Sequence, residues 1–489
     1  MNYFNAFILI LIVPLIVFSC GNDADRERDP GEAVPEAGAP DILVPYTIDA
    51  EGVPGFRQDQ LRFRDYSNVL NAISVIATVS RDSEYGNEAY RPELYPDAMM
   101  ERAEQWLSMV VQIDDYFNEE GRITPWLEES AGVYEASGEL DLSLYPHLVY
   151  AYHIHHRSGR FEDNEVLYNR LNREPTNYLV TPGRYIMNEH YRDGAFYDDS
   201  GVMDHQSMSY ALGALHANAY AWVAWKKPGG ADDMGVLSEQ ALGHHMGHTP
   251  DDMVAIYRGA AAVLDDAWDS DRSVYDFGDG TEWDLDAAGA MIRGKKAMYD
   301  FLYMFGDEDD AELSRTIFDR TVAMLEAIAP LAEPWGLPER ISFTPDGTRP
   351  ASGTVSLYDW YQFLNHLGGG YALDREREGT SMYLTEHRSD VFDLIGEISD
   401  EALLGAMEYH LIDGRLVTEL DFSDGSVTDD RLTVSTAAMF ITMAGNMYRK
   451  GDAFERASDW DSVSEEISGR SKELFDISFD HLELLDNAF

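Results

Sequence analysis

Residues 196–225 read FYDDSGVMDHQSMSYALGALHANAYAWVAW, an acidic turn around Gly201 followed by a long stretch rich in alanine, glycine, serine and aromatic residues. That stretch has helical spacing and is apolar on most of its faces, as buried helices are. Asp204 stands where a helix N-cap is expected, because a carboxylate there accepts the free amide hydrogens of the first turn. These residues therefore predict a buried helix that begins directly after a polar loop.

The same pairing of a glycine turn with a long helical stretch recurs along the chain. The intervals between the turn glycines are 77, 69, 79, 67 and 78 residues, and each interval accommodates one helical hairpin and one loop. The turn glycines are Gly55, Gly132, Gly201, Gly280, Gly347 and Gly425. Six such units predict a closed ring of helical hairpins with one functional mouth.

Two kinds of helix alternate in this pattern. Helices that follow the glycine turns are apolar on most faces and predict an inner layer, whereas the helices between them are amphipathic and predict an outer layer. The predicted inner helices are Asp65 to Val79, Leu142 to His156, Asp204 to Trp225, Asp284 to Phe305, Val355 to Tyr371 and Asp430 to Tyr448. The predicted outer helices include Asp97 to Phe117, Thr249 to Asp266, Asp309 to Ile328 and Asp400 to Leu411. We expect parallel inner helices, whose N-termini and acidic loops meet at one end of the ring.

The order and spacing of these elements, from residue 56 to about residue 470, resemble the six-hairpin (α/α)6 toroid of many glycoside hydrolases and some polysaccharide lyases. The segments Phe196 to Gly201 and Val274 to Gly280 resemble the aromatic and acidic loops of such toroids. The helical spacing of apolar residues predicts an all-α fold, with β-type alternation confined to short pieces such as Arg415 to Phe422. The resemblance implies a carbohydrate cleft at the N-terminal face of the inner helices, by analogy of fold.

The charge of the chain is extreme. The formal net charge is −53, and the basic residues comprise six lysines and 30 arginines. Such self-repulsion is best tolerated where salt screens it, because the Debye length falls to about 3 Å at molar salt. We interpret the composition as adaptation to a saline habitat; the alternative is an acidic surface that binds cations. Both interpretations make nucleic acid and anionic membrane surfaces poor partners.

The N-terminus has the features of an export signal. Its apolar run from Phe7 to Phe18 is too short to span a bilayer and is followed by Ser19 and Cys20, which resembles a bacterial lipobox. The resemblance implies a signal peptide over residues 1–19 and a lipid on Cys20 that anchors the protein to a membrane of the cell envelope, at the outer membrane or the cell surface. The alternative is a chance cysteine after an ordinary cleaved signal.

Residues 20–50 combine low hydrophobicity with proline and charge, which predicts a disordered tether. The folded toroid domain is assigned to residues 51–489. Because Cys20 is the only cysteine in the chain, an intrachain disulfide and a cysteine-based zinc site are both excluded.

Two of the predicted loops contain the groups that glycoside hydrolysis requires. The reaction needs one protonated acid and one ionised carboxylate across the sugar, and aromatic faces on which the sugar stacks. The candidate catalytic carboxylates are Asp199, Asp204, Glu282 and Asp284, and the second loop also contains Asp276, Asp279 and Asp286. The candidate substrate-binding residues are Trp126, Tyr197, His205, Trp283 and Trp360. The alternative interpretation is capped acidic turns in a uniformly acidic protein.

Metal binding has weaker support. Asp265, Asp266, Asp269 and Asp271 are close in sequence, as the ligands of calcium loops are, but the glycine and the glutamate of that pattern are missing. His244 and His248 would share a helix face, yet a solvated loop or helix end explains them better. We therefore expect no metal and no other cofactor, with calcium as the alternative.

These observations favour an exported carbohydrate-active enzyme that hydrolyses glycosidic bonds with paired carboxylates. One alternative is a non-catalytic surface protein that binds a glycan or a partner. Another is a polysaccharide lyase with Tyr197 or His205 as base, which would need cleft arginines, and Arg192 and Arg293 are the nearest candidates. The Gly-x-Ser-x-Gly motif of common α/β serine hydrolases is absent from the sequence.

Overall fold

The computed structural model describes residues 43–49, 53–56, 60–81, 116–130, 133–147, 181–226, 239, 243, 246–374, 394, 398, 405–456, 473, 477, 481 and 485. Long helices dominate these residues, and the strands between them contain two to five residues each. The predicted all-α class with short β pieces is confirmed. The predicted signal peptide, Cys20, most of the predicted tether, Gly132 and His244 lie outside the described residues.

The described α-helices follow the predicted inner and outer pattern. They are α1 (Phe63–Arg81), α2 (His205–Lys226), α3 (Pro250–Ala267), α4 (Leu285–Phe305), α5 (Glu308–Ile328), α6 (Leu357–Asp374) and α7 (Val434–Arg456). Shorter helical segments are the 3-10 segments Leu142–His147 and Ala329–Leu331 and the π-helices Ile186–His190 and Ala406–His410. The predicted start of the last inner helix at Asp430 is too early, because a strand occupies the residues directly before Val434.

Six inner elements form a closed ring. In chain order they are α1, the 3-10 segment Leu142–His147, α2, α4, α6 and α7. Each packs against the next, and α7 packs against α1. The outer helices α3 and α5 pack against α4 and against each other. The described helices therefore confirm the predicted (α/α)6 toroid, with an apolar core between its two layers.

Short antiparallel strands lie at one end of the ring, where they pair each unit with the next and the last unit with the first. They are β1 (Thr47–Ile48), β2 (Pro54–Gly55), β3 (Gln60–Arg62), β4 (Asn118–Glu119), β5 (Arg122–Ile123), β6 (Trp126–Ser130), β7 (Val133–Ser137), β8 (Tyr191–Arg192), β9 (Ala195–Phe196), β10 (Trp268–Asp269), β11 (Val274–Tyr275), β12 (Glu282–Asp284), β13 (Arg340–Thr344), β14 (Gly347–Pro350), β15 (Thr354–Ser356), β16 (Leu411–Ile412), β17 (Arg415–Leu416), β18 (Glu419–Asp421), β19 (Val427–Asp429) and β20 (Leu432–Thr433). The strand before an inner helix pairs with the hairpin that leads to the next one, as β3 does with β6 and β7. The strand before α7 pairs in the same way with β1, so Thr47–Ile48 joins the last unit to the first.

Backbone hydrogen bonds place the N-termini of the inner helices at the same end. In four of them the first amide donates to a carbonyl of the following unit. The bonds are Phe63 N to Pro125 O (2.9 Å), Leu285 N to Glu339 O (2.9 Å), Leu357 N to Thr418 O (3.1 Å) and Val434 N to Tyr46 O (3.0 Å). These amides have no partner within their own helix, so the neighbouring loop satisfies them. We call this end of the ring the mouth.

A second recurring feature is a tight hairpin at the end of several outer segments. In β4–β5, β8–β9 and β16–β17 the turn has two residues of positive φ: Glu120 and Gly121 at 52° and 100°, Asp193 and Gly194 at 51° and 89°, and Asp413 and Gly414 at 51° and 81°. An acidic residue followed by glycine is a common way to build such a turn, because both central positions require positive φ. This Asp/Glu-Gly signal marks the repeat as clearly as the turn glycines do, although the sequence-based prediction did not use it.

Side-chain caps fix where the helices begin. The carboxylate of Asp204 accepts the amide hydrogen of Ser207 at 2.8 Å, which confirms the predicted cap of α2. Asp284 precedes α4 but its side chain makes no capping bond. At α7 the hydroxyl of Thr433 accepts the amide hydrogen of Thr436 at 3.1 Å, three residues after Asp430, where the sequence places the start of this helix. Within the described part of the chain, no helix is long and apolar enough to cross a membrane.

Candidate active site

The second residue of each inner element belongs to a common layer at the mouth. These residues are Arg64, Ser143, Gln206, Asp286, Tyr358 and Ser435. In five of the six elements the residue before this layer is apolar and buried, namely Phe63, Leu142, Leu285, Leu357 and Val434. The buried residue anchors the start of the helix, so the next residue occupies an equivalent place in every unit. The repeat thus assembles six side chains of five residue types.

Arg64 contacts two other inner elements of the ring. Its guanidinium lies 5.2 Å from the centre of the Tyr358 ring and 3.4 Å from the hydroxyl of Ser143. Tyr358, followed by Asp286 and Asp359, raises the pKa of Arg64, so the guanidinium is a permanent cation. Because Arg64 and Asp286 stand on the first and fourth elements of the ring, their interaction spans opposite sides of the mouth.

Asp359 follows Tyr358 on α6 and has the most altered carboxyl group of the site. Burial, followed by the negative charge of Asp286, raises the pKa of Asp359 to about 7. Hydrogen bonding to Ser356 and the charge of Arg64 act in the opposite direction but do not cancel this shift. The side chain keeps partial contact with solvent. Asp359 is therefore a carboxyl group deep in the mouth that holds its proton up to neutral pH, as a general acid must.

Asp286 is the carboxylate opposite Arg64. It is 7% exposed, and its Oδ1 lies 3.2 Å from Nε2 of His366, which is completely buried. Burial lowers the pKa of His366, although its hydrogen bond to Asp286 partly opposes the shift. The imidazole is therefore neutral at physiological pH. Asp286 and Asp359 interact electrostatically, but Asp359 keeps its proton whereas Asp286 is bonded to His366. Two carboxyl groups with such different surroundings can act as an acid and a base, respectively.

Two tyrosines complete the floor of the mouth. Burial raises the pKa of Tyr358 to about 12 and raises that of Tyr210 as well, so both hydroxyls stay protonated. The hydroxyl of Tyr358 lies 3.4 Å from the amide nitrogen of Asn68. Asn68 also donates to Ser435 at 3.1 Å, and Ser435 donates to Asp65 at 2.6 Å. This buried chain of polar groups ties α1, α6 and α7 together below the mouth.

The predicted catalytic carboxylates lie at different depths. Asp284 is half-buried and accepts a hydrogen bond from the side chain of Gln206 at 2.5 Å, and its charge contributes to the raised pKa of Tyr210. Asp204 is engaged as a helix cap. Glu282 is exposed on β12, opposite Ser342. Asp199 lies in a turn, with its carboxylate 3.9 Å from Nε2 of His190. Of the four, the structure brings Asp284 nearest to the central residues.

The predicted aromatic platforms require a correction. Trp283 and Trp360 have no exposed surface, so they are core residues and present no face to a sugar. The hydrophobic effect of two such large side chains explains their burial. Trp126 is half-buried on β6, where it pairs with Arg62. Tyr197 is also half-buried, and its ring lies 5.0 Å below the guanidinium of Arg192.

His205 replaces the buried apolar residue found at the start of the other inner elements. Its Nδ1 lies 2.6 Å from the carboxylate of Asp279, which also accepts the backbone amide of His205 at 3.0 Å. The imidazole stacks on Trp283 with 4.8 Å between ring centres. Trp283 therefore braces His205, and Asp279 fixes its orientation at the rim of the mouth.

The sequence-based candidates omit Arg64, Tyr358 and Asp359, and they include Asp286 merely as a member of an acidic loop. A signal for these residues does exist. Arg64, Asp286 and Tyr358 each lie directly after an apolar residue that opens an inner helix, namely Phe63, Leu285 and Leu357, and Asp359 follows one residue later. An alignment of the six helix starts places the residues of the central layer at one common position.

Arginine side chains pair with aspartates of the stretch that was considered for calcium. Asp265 is bonded to Arg320 at 2.5 Å, and Asp269 is bonded to Arg272. Among the described residues, no group of three or more His, Cys, Asp or Glu side chains is arranged to hold a metal ion. The prediction that His248 is solvated is wrong: it is buried, with its Nε2 3.0 Å from the side-chain nitrogen of Asn218.

Comparison with known proteins found matches among solved structures alone. No protein-family model matches the chain, and no curated protein matches it. A crystal structure of a sugar epimerase from a ruminal bacterium is similar over 83% of this chain and 93% of its own length, with 11% identity and a TM-score of 0.47. A crystal structure of a D-mannose isomerase is similar over 82% of this chain and 93% of its own, with 10% identity and a TM-score of 0.39. Likeness at this level carries no argument about reaction or substrate, which must come from the site itself.

Proposed function

We propose that the protein is a carbohydrate-active enzyme that works at the mouth of the ring. The observation that carries this proposal is the convergence of Arg64, Asp286 and Tyr358 from three inner helices, with Asp359 beside them. Uncharged sugars need hydrogen-bond donors and acceptors together with a group that can transfer a proton near neutral pH. The mouth supplies both, on rigid helix starts.

The reaction that we propose is hydrolysis of a glycosidic bond. Asp359 donates its proton to the oxygen of the departing sugar as the bond from that oxygen to the anomeric carbon breaks. Asp286 is the ionised carboxylate that stabilises the positive charge on the sugar ring or activates the attacking water. Arg64, Tyr358 and Gln206 are placed to orient hydroxyl groups of the substrate.

The charge balance of the mouth disfavours the lyase alternative. A lyase neutralises the carboxylate of a uronate, for which it needs a cation that is not already compensated. The cation at the centre, Arg64, faces Asp286 and Asp359. Arg293 is 1% exposed and donates to the carbonyl of Pro146, while Arg192 lies over the Tyr197 ring. The arginines that the sequence offers for this role therefore serve other contacts.

The non-catalytic alternative is also less well supported. A protein that merely captures a glycan gains nothing from a carboxyl group whose surroundings oppose its ionisation, because such a group reduces stability at neutral pH. Strongly shifted carboxyl groups in a cleft are typical of catalytic sites. Asp359 is such a group, so we favour turnover over capture.

Export and anchoring remain part of the proposal. Residues 43–49 enter the ring through β1, which pairs with the strand before α7 at the mouth. A lipid on Cys20 would thus tether the protein from the side that carries the active site. Labelling of the full chain with a radioactive fatty acid in a bacterial host, against Cys20→Ser, tests this. Label retained in the variant would contradict the anchor.

A glycan screen of the purified full chain in molar salt tests the enzymatic proposal. Binding and product release are recorded together, first for the wild type and then for three variants. We expect Asp359→Asn and Asp286→Asn to abolish product release, whereas Glu282→Gln, an exposed carboxylate of the same mouth, retains it. Binding without any product would favour the glycan-capture alternative. Loss of product release in the Glu282 variant alone would indicate that the catalytic site lies at the outer loop.

A further inference from the structure

Two polar stripes face each other between α4 and α6, beneath the mouth. On α4 the stripe consists of Asp286 and Arg293 with Gly289 between them, and on α6 it consists of Asp359, Gln362 and His366. In each case the spacing of three and then four residues puts the members on one helix face. The two helices pack directly against each other. A line of polar groups therefore descends from the two carboxyl groups into the interior of the ring.

His366 is the deepest member that contacts the site. It has 1% exposure, and its Nε2 lies 3.2 Å from Oδ1 of Asp286 and 3.4 Å from the side-chain nitrogen of Gln362. The charged groups that act on it are Asp286 and Arg293, both on α4. Because burial keeps the ring neutral, Nε2 must carry the proton in order to donate to Asp286.

The close approach of the two helices is built around this imidazole. A side chain at position 289 would place its Cβ 2.8 Å from Cδ2 of His366 and 3.1 Å from the ring of Phe363. Glycine at this position lets α4 lie against the imidazole one turn below Asp286. Backbone packing at Gly289 thus fixes the ring of His366 beside Asp286.

We propose that His366 is a positioning residue that holds Asp286 ionised and oriented for the reaction. This inference rests on the proposed function of the mouth. A donor to a buried carboxylate stabilises its charged form. With Asp286 held ionised, the proton of the pair resides on Asp359, so the two carboxyl groups take distinct roles. His366 is almost completely buried, and its contact with the carboxyl groups of the mouth is through Asp286.

Two substitutions distinguish the loss of the hydrogen-bond donor at His366 from the loss of the volume of its ring. His366→Met fills the space without a donor, while His366→Gln can place an N–H group near the former Nε2. We expect the Met variant to lose roughly 10- to 100-fold in kcat, the effect of a hydrogen bond to a charged group, with KM within about twofold. The acid limb of its rate profile should move to higher pH, and the Gln variant should recover most of the loss. An unchanged profile in the Met variant, or a Gln variant no better than it, would overturn the proposal.

A spectroscopic measurement on the wild-type full chain keeps this test apart from the proposed function. Nitrogen-15 NMR of labelled histidines, with His366 assigned by the signal missing from His366→Gln, reports tautomer and charge directly. We expect a neutral ring protonated at Nε2 at pH 7.5, and a changed Nε2 shift in Asp286→Asn. If this holds while no glycan is cleaved, the positioning contact stands and the hydrolase proposal fails. If glycans are cleaved while His366 is charged or protonated at Nδ1, the positioning role alone fails.

Discussion

Replacing Asp359 with asparagine should make the protein more stable while abolishing its activity. Burial and the charge of Asp286 raise the pKa of Asp359 from its ordinary value of 3.8 to about 7. The folded protein therefore resists an ionisation that the unfolded chain undergoes freely. Asparagine has nearly the same shape and cannot ionise, so the variant escapes this cost. Active sites often carry groups whose removal stabilises the fold.

The sign and size of this change in stability follow from the raised pKa of Asp359. Between about pH 4 and pH 7 the folded state retains a proton that the unfolded state has lost, so this group lowers the free energy of unfolding as pH rises. Below pH 4 both states are protonated and the group has no effect; above pH 7 the full cost applies. The pKa of Asp359 rises by about 3, and a change of 1 in pKa corresponds to about 1.4 kcal/mol, so the free energy of unfolding falls by roughly 4 kcal/mol. The partial solvent contact of the side chain reduces this cost to roughly 2 to 4 kcal/mol.

Urea denaturation in molar salt, followed by tryptophan fluorescence, measures this difference. We expect wild type and Asp359→Asn to unfold at similar urea concentrations at pH 4, and the variant to be more stable by the amount above at pH 8. Asp346→Asn is the matched control, because that side chain is 87% exposed. If the Asp359 variant is instead less stable than wild type at pH 8, Asp359 is ionised and paired with Arg64, and the assignment of the acid is wrong.

Three further outcomes are expected. Arg64→Met removes the cation that opposes the shift of Asp359, so the basic limb of the rate profile should move to higher pH; a shift to lower pH would contradict the geometry. Gly194→Ala should destabilise the protein by about 1 to 3 kcal/mol more than Gly278→Ala in urea titrations. Both glycines have φ near 90°, but a Cβ at Gly194 would lie 2.8 Å from a backbone oxygen, whereas the space at Gly278 is empty; equal costs would refute this reading. Trp360→Leu should cost about 2 to 4 kcal/mol of stability with unchanged KM, and a large change in KM would restore it as a sugar contact.

The architecture was predictable because its signal is repeated. Helices that are apolar on most faces must be buried, and their regular alternation with amphipathic helices leaves few arrangements other than two concentric layers. The cap of α2 at Asp204 was also predictable, since it depends on residues within one turn. Local chemistry and periodicity are the properties that a single sequence displays best.

The site was less predictable because its members are distant in sequence. Arg64 and Asp286 are more than two hundred positions apart and meet through ring closure alone, which no local pattern encodes. Burial also separates residues that look alike in the sequence: Trp283 is enclosed in the core, while the neighbouring Glu282 is exposed. In a chain with 89 acidic residues, a catalytic carboxyl group differs from the others by its surroundings and not by its sequence.

The dependence of turnover on pH is the most direct test of the site. Product release from the glycan found in the screen should be measured from pH 4 to pH 9 for wild type, Asp359→Asn and Glu282→Gln, all in molar salt. We predict that the wild-type rate falls above about pH 7, that the Glu282 variant follows the same curve and that the Asp359 variant is inactive throughout. An Asp359 variant that retains the wild-type rate and profile would show that the acid lies elsewhere and would contradict the assignment of the active site to this layer.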